Sequence, residues 1–336
     1  MSHGGKVISS TGEGSQVTVD LALEFIEAAV MKQQPFAAVV WFGSPHTPHV
    51  ALDADREAYR QLPENMQHYY GEITAMDRAV GKLRARLREL KIADDTLLWF
   101  TSDNGATVPG SSGPFKGKKG TLWEGGIRVP SLLEWPAKFA EPRHVTLRAS
   151  TCDVLPTVVA AAGLQHPDLQ RPLDGESLLP FCVAPSTADD DGEDLAAAAK
   201  TNRSRPLGFW TYPQAGKPVR SGSLLKELED NDGNGDKPTT AGGPLLSADE
   251  TAAFAKKYPT DHFPGHAAWV DGRYKLHRIA REQEKPVFHL FDLASDPEEK
   301  TDLATSDRAR LEQMAEALEA WQASVVRSLN GEDYAR

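Results

Sequence analysis

An apolar run that stops abruptly at a polar turn constrains this chain more than any other feature. Thr96-Leu97-Leu98-Trp99-Phe100 has the length and β-rich composition of a strand buried on both faces. It ends at Ser102-Asp103-Asn104-Gly105, so a carboxylate and an amide sit just past the strand's carboxyl end, where open α/β sheets bind ligands. A loop rich in glycine and lysine follows, Lys116-Gly117-Lys118-Lys119-Gly120, and then Trp123-Glu124-Gly125-Gly126-Ile127-Arg128-Val129-Pro130. Taken alone, Asp-Asn-Gly favours a turn in which Asn or Gly supplies a positive φ. Beside the lysine loop, the same residues read as hard oxygen ligands for a cation, with ammonium groups nearby for an anion.

The segments around this run alternate in period. Leu21, Phe25 and Ala29 predict an amphipathic helix over Thr18 to Lys32, closed by Pro35. Phe36 to Phe42 predicts a second buried strand, ending in Gly43-Ser44-Pro45-His46-Thr47-Pro48-His49. Ile73, Met76, Val80, Leu83, Leu87 and Leu90 give one apolar stripe to a long helix over Glu64 to Ile92, which leads into the Thr96 strand. Strand, helix, strand in that order predicts a right-handed parallel crossover. Ser131 to Glu134 reads as a short strand, and Thr151 to Gly163 as a helix stopped by its glycine.

Further on, Leu207 to Tyr212, His266 to Trp269, Tyr274 to Arg278 and Val287 to Asp292 read as strands. Turns at Asp271-Gly272 and Lys285-Pro286 make the last three antiparallel. Leu311, Met314, Leu318, Trp321 and Val325 mark a closing helix. Ser186 to Asp194 and Glu229 to Gly243 are acidic, Gly-rich and nearly free of large apolar residues, as expected of surface loops or mobile inserts. Asp230 to Gly235 imitates the first half of an EF-hand loop, but Ala241 stands where a bidentate Glu is needed. The expected organisation is an α/β part over 1–183, an insert over 184–262 with a strand at 207–212, and a C-terminal α+β subdomain over 263–336.

Composition excludes several function classes. A net charge of −11 argues against a nucleic-acid partner, which calls for a basic face. No apolar run approaches the roughly 20 residues of a membrane-spanning helix. Cys152 and Cys182 support neither a disulfide framework nor a zinc cluster. MSHGGKVISSTGEGSQ has no apolar core of the kind a signal peptide carries.

Taken whole, Thr96 to Pro130 resembles the sulfatase family of the alkaline-phosphatase-like superfamily, in which a strand ending in D-N-G precedes a glycine-lysine loop and E-G-G-x-R-x-P. Asp153-Val154-Leu155-Pro156-Thr157, Leu173 to Pro180, Asp271 to Leu276, and Leu290-Phe291-Asp292-Leu293 with Asp296-Pro297 resemble later landmarks in family order. The resemblance implies an alkaline-phosphatase-like fold: a mostly parallel sheet flanked by helices, then a small antiparallel sheet with a closing helix. It implies calcium-assisted cleavage of a carbohydrate or aryl sulfate, with Asp103 and Asn104 as Ca²⁺ ligands. Lys119 would contact the sulfate and steady the leaving oxygen. His46, by itself an ordinary loop histidine, would stand on the leaving-group side as a hydrogen-bond donor or general acid. His266 either contacts substrate at the pocket mouth or belongs to a structural turn. Glu124 and Arg128 read as an internal ion pair or loop anchor, and Lys116, Lys118 and His49 as ordinary loop residues.

One element of the family is missing. The sulfatase nucleophile is a formylglycine made from the Cys or Ser of C-x-P-S-R, and no such motif occurs in these 336 residues. Cys182-Val-Ala-Pro-Ser has its proline one place late and no arginine. Paired aspartates after a first strand, the remaining calcium ligands, are missing too. The expectation is that residue 1 falls inside a longer sulfatase, and that this chain alone binds calcium weakly and is inactive. The resemblance also implies a periplasmic or extracellular setting. The rival readings are a phosphodiesterase or phosphonate hydrolase of the same superfamily, which would bring more His and Asp ligands, and a non-catalytic module for sulfated glycan.

Overall fold

The computed structural model describes residues 2–3, 6–7, 9–142, 144–165, 173–183, 203–212, 258–280 and 284–333. The insert expected over 184–262, including Asp230 to Gly235, lies largely outside them. Contacts divide the chain into two units, one built from residues up to Thr96 with Val108–Gly110, the other from Leu97–Thr107 and the described residues beyond 110.

The first unit has short strands β1 (Ser2–His3) and β2 (Lys6–Val7), which pair antiparallel. It also holds the helices α1 (Gly14–Met31), α2 (Asp53–Arg56) and α3 (Glu64–Glu89). Helix α1 opens on Glu13, whose carboxylate accepts the Ser15 and Gln16 N–H groups at 2.9 Å each and so satisfies two otherwise orphaned donors. Its buried stripe is Val19, Leu23, Ile26 and Ala29, whereas Phe25, expected in the stripe, is 52% exposed. On α3, Leu83 and Leu87 are buried as expected, but Ala75 and Ala79 join them in place of the larger Met76 and Val80, which stay half-buried. Small side chains one turn apart let the two helix backbones approach closely, and that selects the contact face over bulk.

Phe36 to Phe42, expected as a buried strand, is neither hydrogen-bonded into a sheet nor buried. Val39 is 77% and Trp41 86% exposed. A strand needs a neighbour to take up its N–H and C=O groups, and among the described residues none lies alongside. The parallel crossover predicted from this strand is therefore not formed. Every strand pair among the described residues is antiparallel.

In the second unit, β3 (Leu98–Thr101) pairs with β4 (Ser131–Glu134), Leu98 opposite Glu134 and Thr101 opposite Ser131. The short α4 (Glu124–Ile127) lies between them in sequence. Helix α5 (Val154–Ala161) follows a 3₁₀ turn at Thr151–Asp153 and ends before Gly163 at φ 66°, the left-handed stop expected there. After α6 (Leu179–Val183) comes a four-stranded antiparallel sheet in the order β5 (Leu207–Thr211), β6 (Gly265–Asp271), β7 (Tyr274–Ala280), β8 (Val287–Asp292). Helix α7 (Arg308–Leu329) closes the unit. The α/β class, the small C-terminal antiparallel sheet and the closing helix all match the sequence reading.

The two faces of that sheet have different jobs. Ala267, Trp269, Leu276 and Leu290 point to α7 and pack on its Leu311, Met314 and Leu318, the apolar core of the unit. Residues of the opposite parity share the other face. Thr211 stands opposite His266, Ala268 opposite His277, and Val270 opposite Lys275. That second face is half apolar, with Leu207, Val270, Phe291 and Trp123 packed together, and half ionic.

Candidate active site

Glycine makes the site possible by letting three backbones meet. The Gly105 N–H donates to the Gly126 carbonyl at 2.9 Å, Gly125 N–H to Lys116 O at 2.7 Å, and Lys119 N–H to Ala106 O at 3.0 Å. A Cβ on Gly105 would stand 2.0 Å from Gly125 O, and one on Gly126 would stand 2.1 Å from Thr121 O. The turn after β3, the lysine loop and the Glu-Gly-Gly turn are thereby knitted into one wall.

That wall borders a cavity of about 470 Å³. Thr101, Ser102, Asp103 and Asn104 line it from the end of β3. Gly120, Thr121, Gly126 and Ile127 line it from the loop, Ser150, Cys152 and Asp174 from a third side, and Phe209 and Thr211 from β5. The placement just past the carboxyl end of β3 agrees with the sequence expectation. Lys119 precedes the lining residue Gly120, and its side chain is exposed. Asp103 is exposed too, and no described residue donates to its carboxylate.

The expected metal site can be tested on these donors. Among the described residues no three His, Cys, Asp or Glu side chains gather to hold a metal ion. Asp103 and Asn104 supply oxygen donors of the kind Ca²⁺ takes, but a full shell needs about 6–8 of them. The pair fits part of such a shell in chemistry.

A buried ionic cluster seats the wall on the sheet. Lys275 is fully buried, and its ammonium lies 2.8 Å from Glu124 Oε1 and 3.1 Å from Glu299 Oε1. Glu299, also fully buried in its side chain, accepts the Glu124 N–H at 2.6 Å and bonds His277 Nε2 at 2.6 Å. Its backbone is left-handed at φ 56°, a strain of about 1–2 kcal/mol for a residue with a Cβ. The carboxylate's three partners hold it there. Trp123 lies over His277 with ring centroids 4.1 Å apart, and the Lys116 ammonium sits 3.7 Å from the Trp123 ring. Lys116 is thus tied down by cation–π attraction, not simply solvated as its sequence context suggested.

Glu124 is the loop anchor that was expected, but its main partner is Lys275; Arg128 Nη1 is farther, at 3.7 Å. The Asp-Val-Leu-Pro-Thr landmark also proves architectural. Asp153, wholly buried, takes Arg203 at 2.6 and 2.9 Å, Ser150 N–H at 2.8 Å and Glu176 N–H at 2.9 Å, fastening three segments at the cavity's edge. Burial pushes the neighbouring Cys152 thiol above its usual pKa. Neither Cys152 nor Cys182 is in a disulfide.

His46 belongs to the first unit. It is exposed, and its Nδ1–H donates to Thr47 O at 2.8 Å, which leaves Nε2 outward. His49 bonds Glu72 at 3.2 Å and is structural. His266 does not line the cavity but stands opposite Thr211, which does. Burial and the nearby Lys275 charge lower its pKa to about 4, keeping it neutral near pH 7.

Glu299, Lys275, His277 and Arg203 were not picked out from sequence. Glu299 lies 175 residues from Glu124, and no local pattern marks the pair. A Lys and a His two apart on a predicted strand were the one available signal, since that spacing puts both on one face.

The sequence model of the Sulfatase family matches residues 7–164. Mouse steryl-sulfatase is 38% identical over 161 residues, covering 45% of this chain and 25% of that protein. Dog N-acetylgalactosamine-6-sulfatase is 32% identical over 226 residues, covering 63% of this chain and 42% of that protein. This chain is similar to the sulfatase family over residues 7–164. It spans less than half the length of either relative. Among solved structures, Ps i-CgsB shares the fold with a TM-score of 0.69 at 23% identity, over 97% of this chain and 61% of that one. The PsFucS1 sulfatase from Pseudoalteromonas sp. gives 0.61 at 20% identity, over 94% and 53%. No helix among the described residues is long and apolar enough to cross a membrane.

Proposed function

We propose that the chain carries part of the catalytic site of a sulfuric ester hydrolase. The observation that carries this reading is the backbone lock of Gly105 on Gly125 and Gly126, which brings the Asp103-Asn104 turn and the Lys119 loop to one cavity wall. Asp103 and Asn104 would supply two oxygens to a calcium ion, which when bound offers positive charge to the sulfate oxygens. Lys119 adds an ammonium for the same anion. His46 is assigned to protonate or hydrogen-bond the leaving oxygen. A carbohydrate or aryl sulfate is the substrate class; the relatives' names, steryl-sulfatase and N-acetylgalactosamine-6-sulfatase, span a sterol and a sugar.

These 336 residues hold no C-x-P-S-R motif, so the chain by itself lacks a nucleophile for sulfur and is inactive. A chromogenic aryl sulfate tests this directly. No turnover is expected, with weak binding of inorganic sulfate that Lys119→Ala abolishes and Lys118→Ala spares. Turnover that disappears on Lys119→Ala would overturn the inactivity, and sulfate binding indifferent to Lys119 would overturn its assignment.

A further inference from the structure

One buried chain of hydrogen bonds ends in a side chain that the protein leaves half-finished. Glu299 Oε1 lies 2.6 Å from His277 Nε2, and His277 Nδ1 lies 2.8 Å from His266 Nε2. The carboxylate can only accept, so His277 Nε2 carries the proton. Charges around the cluster already balance: Lys275 and Arg128 are cationic, Glu124 and Glu299 anionic. Lys116 adds a further positive charge over Trp123. A second proton on fully buried His277 would be an uncompensated cation. His277 Nδ1 is therefore a bare acceptor, and His266 Nε2 must donate to it. A neutral His266 protonated at Nε2 has a lone pair on Nδ1, for which no described residue offers a donor.

The register sets which side of the sheet the His266 ring occupies. His266 is paired with Thr211, and directly opposed residues in an antiparallel ladder share a face. Thr211 lines the 470 Å³ cavity, so His266 belongs to the same side of the sheet. A sulfate offers only oxygen lone pairs, which a bare nitrogen repels. A hydroxyl offers a proton, which it accepts.

We propose that His266 is a ligand-contacting residue that accepts a hydrogen bond through Nδ1 from a hydroxyl of the ester's organic part, with His277 and Glu299 as positioning residues that fix its tautomer. This rests on the sulfatase reading of the cavity and sharpens it. Free hydroxyls beside the ester belong to a carbohydrate sulfate, not to a steryl or simple aryl sulfate. The groups facing His266 are His277, Trp123, His289, Lys275 and Glu299.

The test uses the full chain with ¹⁵N-labelled histidine and ammonium-resolved lysine, read by NMR at pH 7. His266 should be protonated at Nε2 and bare at Nδ1. Methyl galactoside should shift Nδ1, and inorganic sulfate at the same concentration should not. His277→Phe should mix the His266 tautomers and weaken the sugar response roughly 3- to 10-fold, the effect of one hydrogen bond. An Nδ1–H tautomer in the unmodified chain would overturn the proposal without relying on any variant. So would an Nδ1 that answers to sulfate, or to neither probe. Whether sulfate moves the Lys119 ammonium signal reports separately on the sulfatase reading.

Discussion

Lys275→Met removes the cation from a buried site where two carboxylates converge. The ammonium is fully buried and lies 2.8 and 3.1 Å from the two oxygens, while Glu124 and Glu299 are 7% and 0% exposed. At about 3 Å and an effective dielectric near 20, each attraction amounts to about 5–6 kcal/mol. Desolvating three ions offsets most of this, so the intact cluster contributes little net. Breaking it is another matter, because methionine leaves two uncompensated carboxylates behind it. The expected loss is about 3–5 kcal/mol, or a melting temperature lower by roughly 6–20 °C for a unit of this size. Near-UV circular dichroism during thermal unfolding reads it, since Trp123 packs on the same cluster. Adding Glu299→Gln to Lys275→Met should cost less than the sum of the singles, by about 0.5–3 kcal/mol. A loss below about 1 kcal/mol, the value of a solvated pair, would refute the claim that this cluster is buried.

Other outcomes follow from the same contacts. Gly105→Ala places a methyl 2.0 Å from Gly125 O and should abolish sulfate binding while the closing sheet and α7 still fold, as hydrogen exchange of their amides can check. The folded pKa of His266, about 4, lies below its unfolded value of 6.5. Between these values the unfolded chain binds the extra proton, so stability rises with pH across that window and is lost as pH falls from 6.5 toward 4. Burial lowers His277 as well, which adds to the same acid sensitivity. Denaturation midpoints from pH 4 to 7 should show the slope, and His266→Gln should flatten it; an unchanged slope would assign the sensitivity elsewhere.

Much of the second unit was legible because its signals are local. Alternating apolar residues and an Asp-Gly turn define β6 and β7, whose register runs from Gly265 opposite Ala280 to Asp271 opposite Tyr274. A helical stripe defines α7. Phe36 to Phe42 misled, because apolar composition records fitness for a strand and cannot supply the neighbour that makes one. The buried face of α1 was only partly legible, since Val19, Leu23 and Ile26 join Ala29 in it, and Phe25 does not, where α1 packs on α3.

The sequence by itself determined the resemblance to sulfatases and the candidate residues that lie close together along the chain: Asp103, Asn104, the lysine loop and Glu124-Gly125-Gly126. These motifs are readable because each needs a particular backbone or donor at a fixed spacing. The tertiary structure alone decided what supports them. Glu124 meets Lys275 and Glu299, His266 meets His277, and Asp153 meets Arg203 only when distant strands and loops are brought together. Pairing among buried charges is set by distance in space, and spacing in sequence carries no record of it.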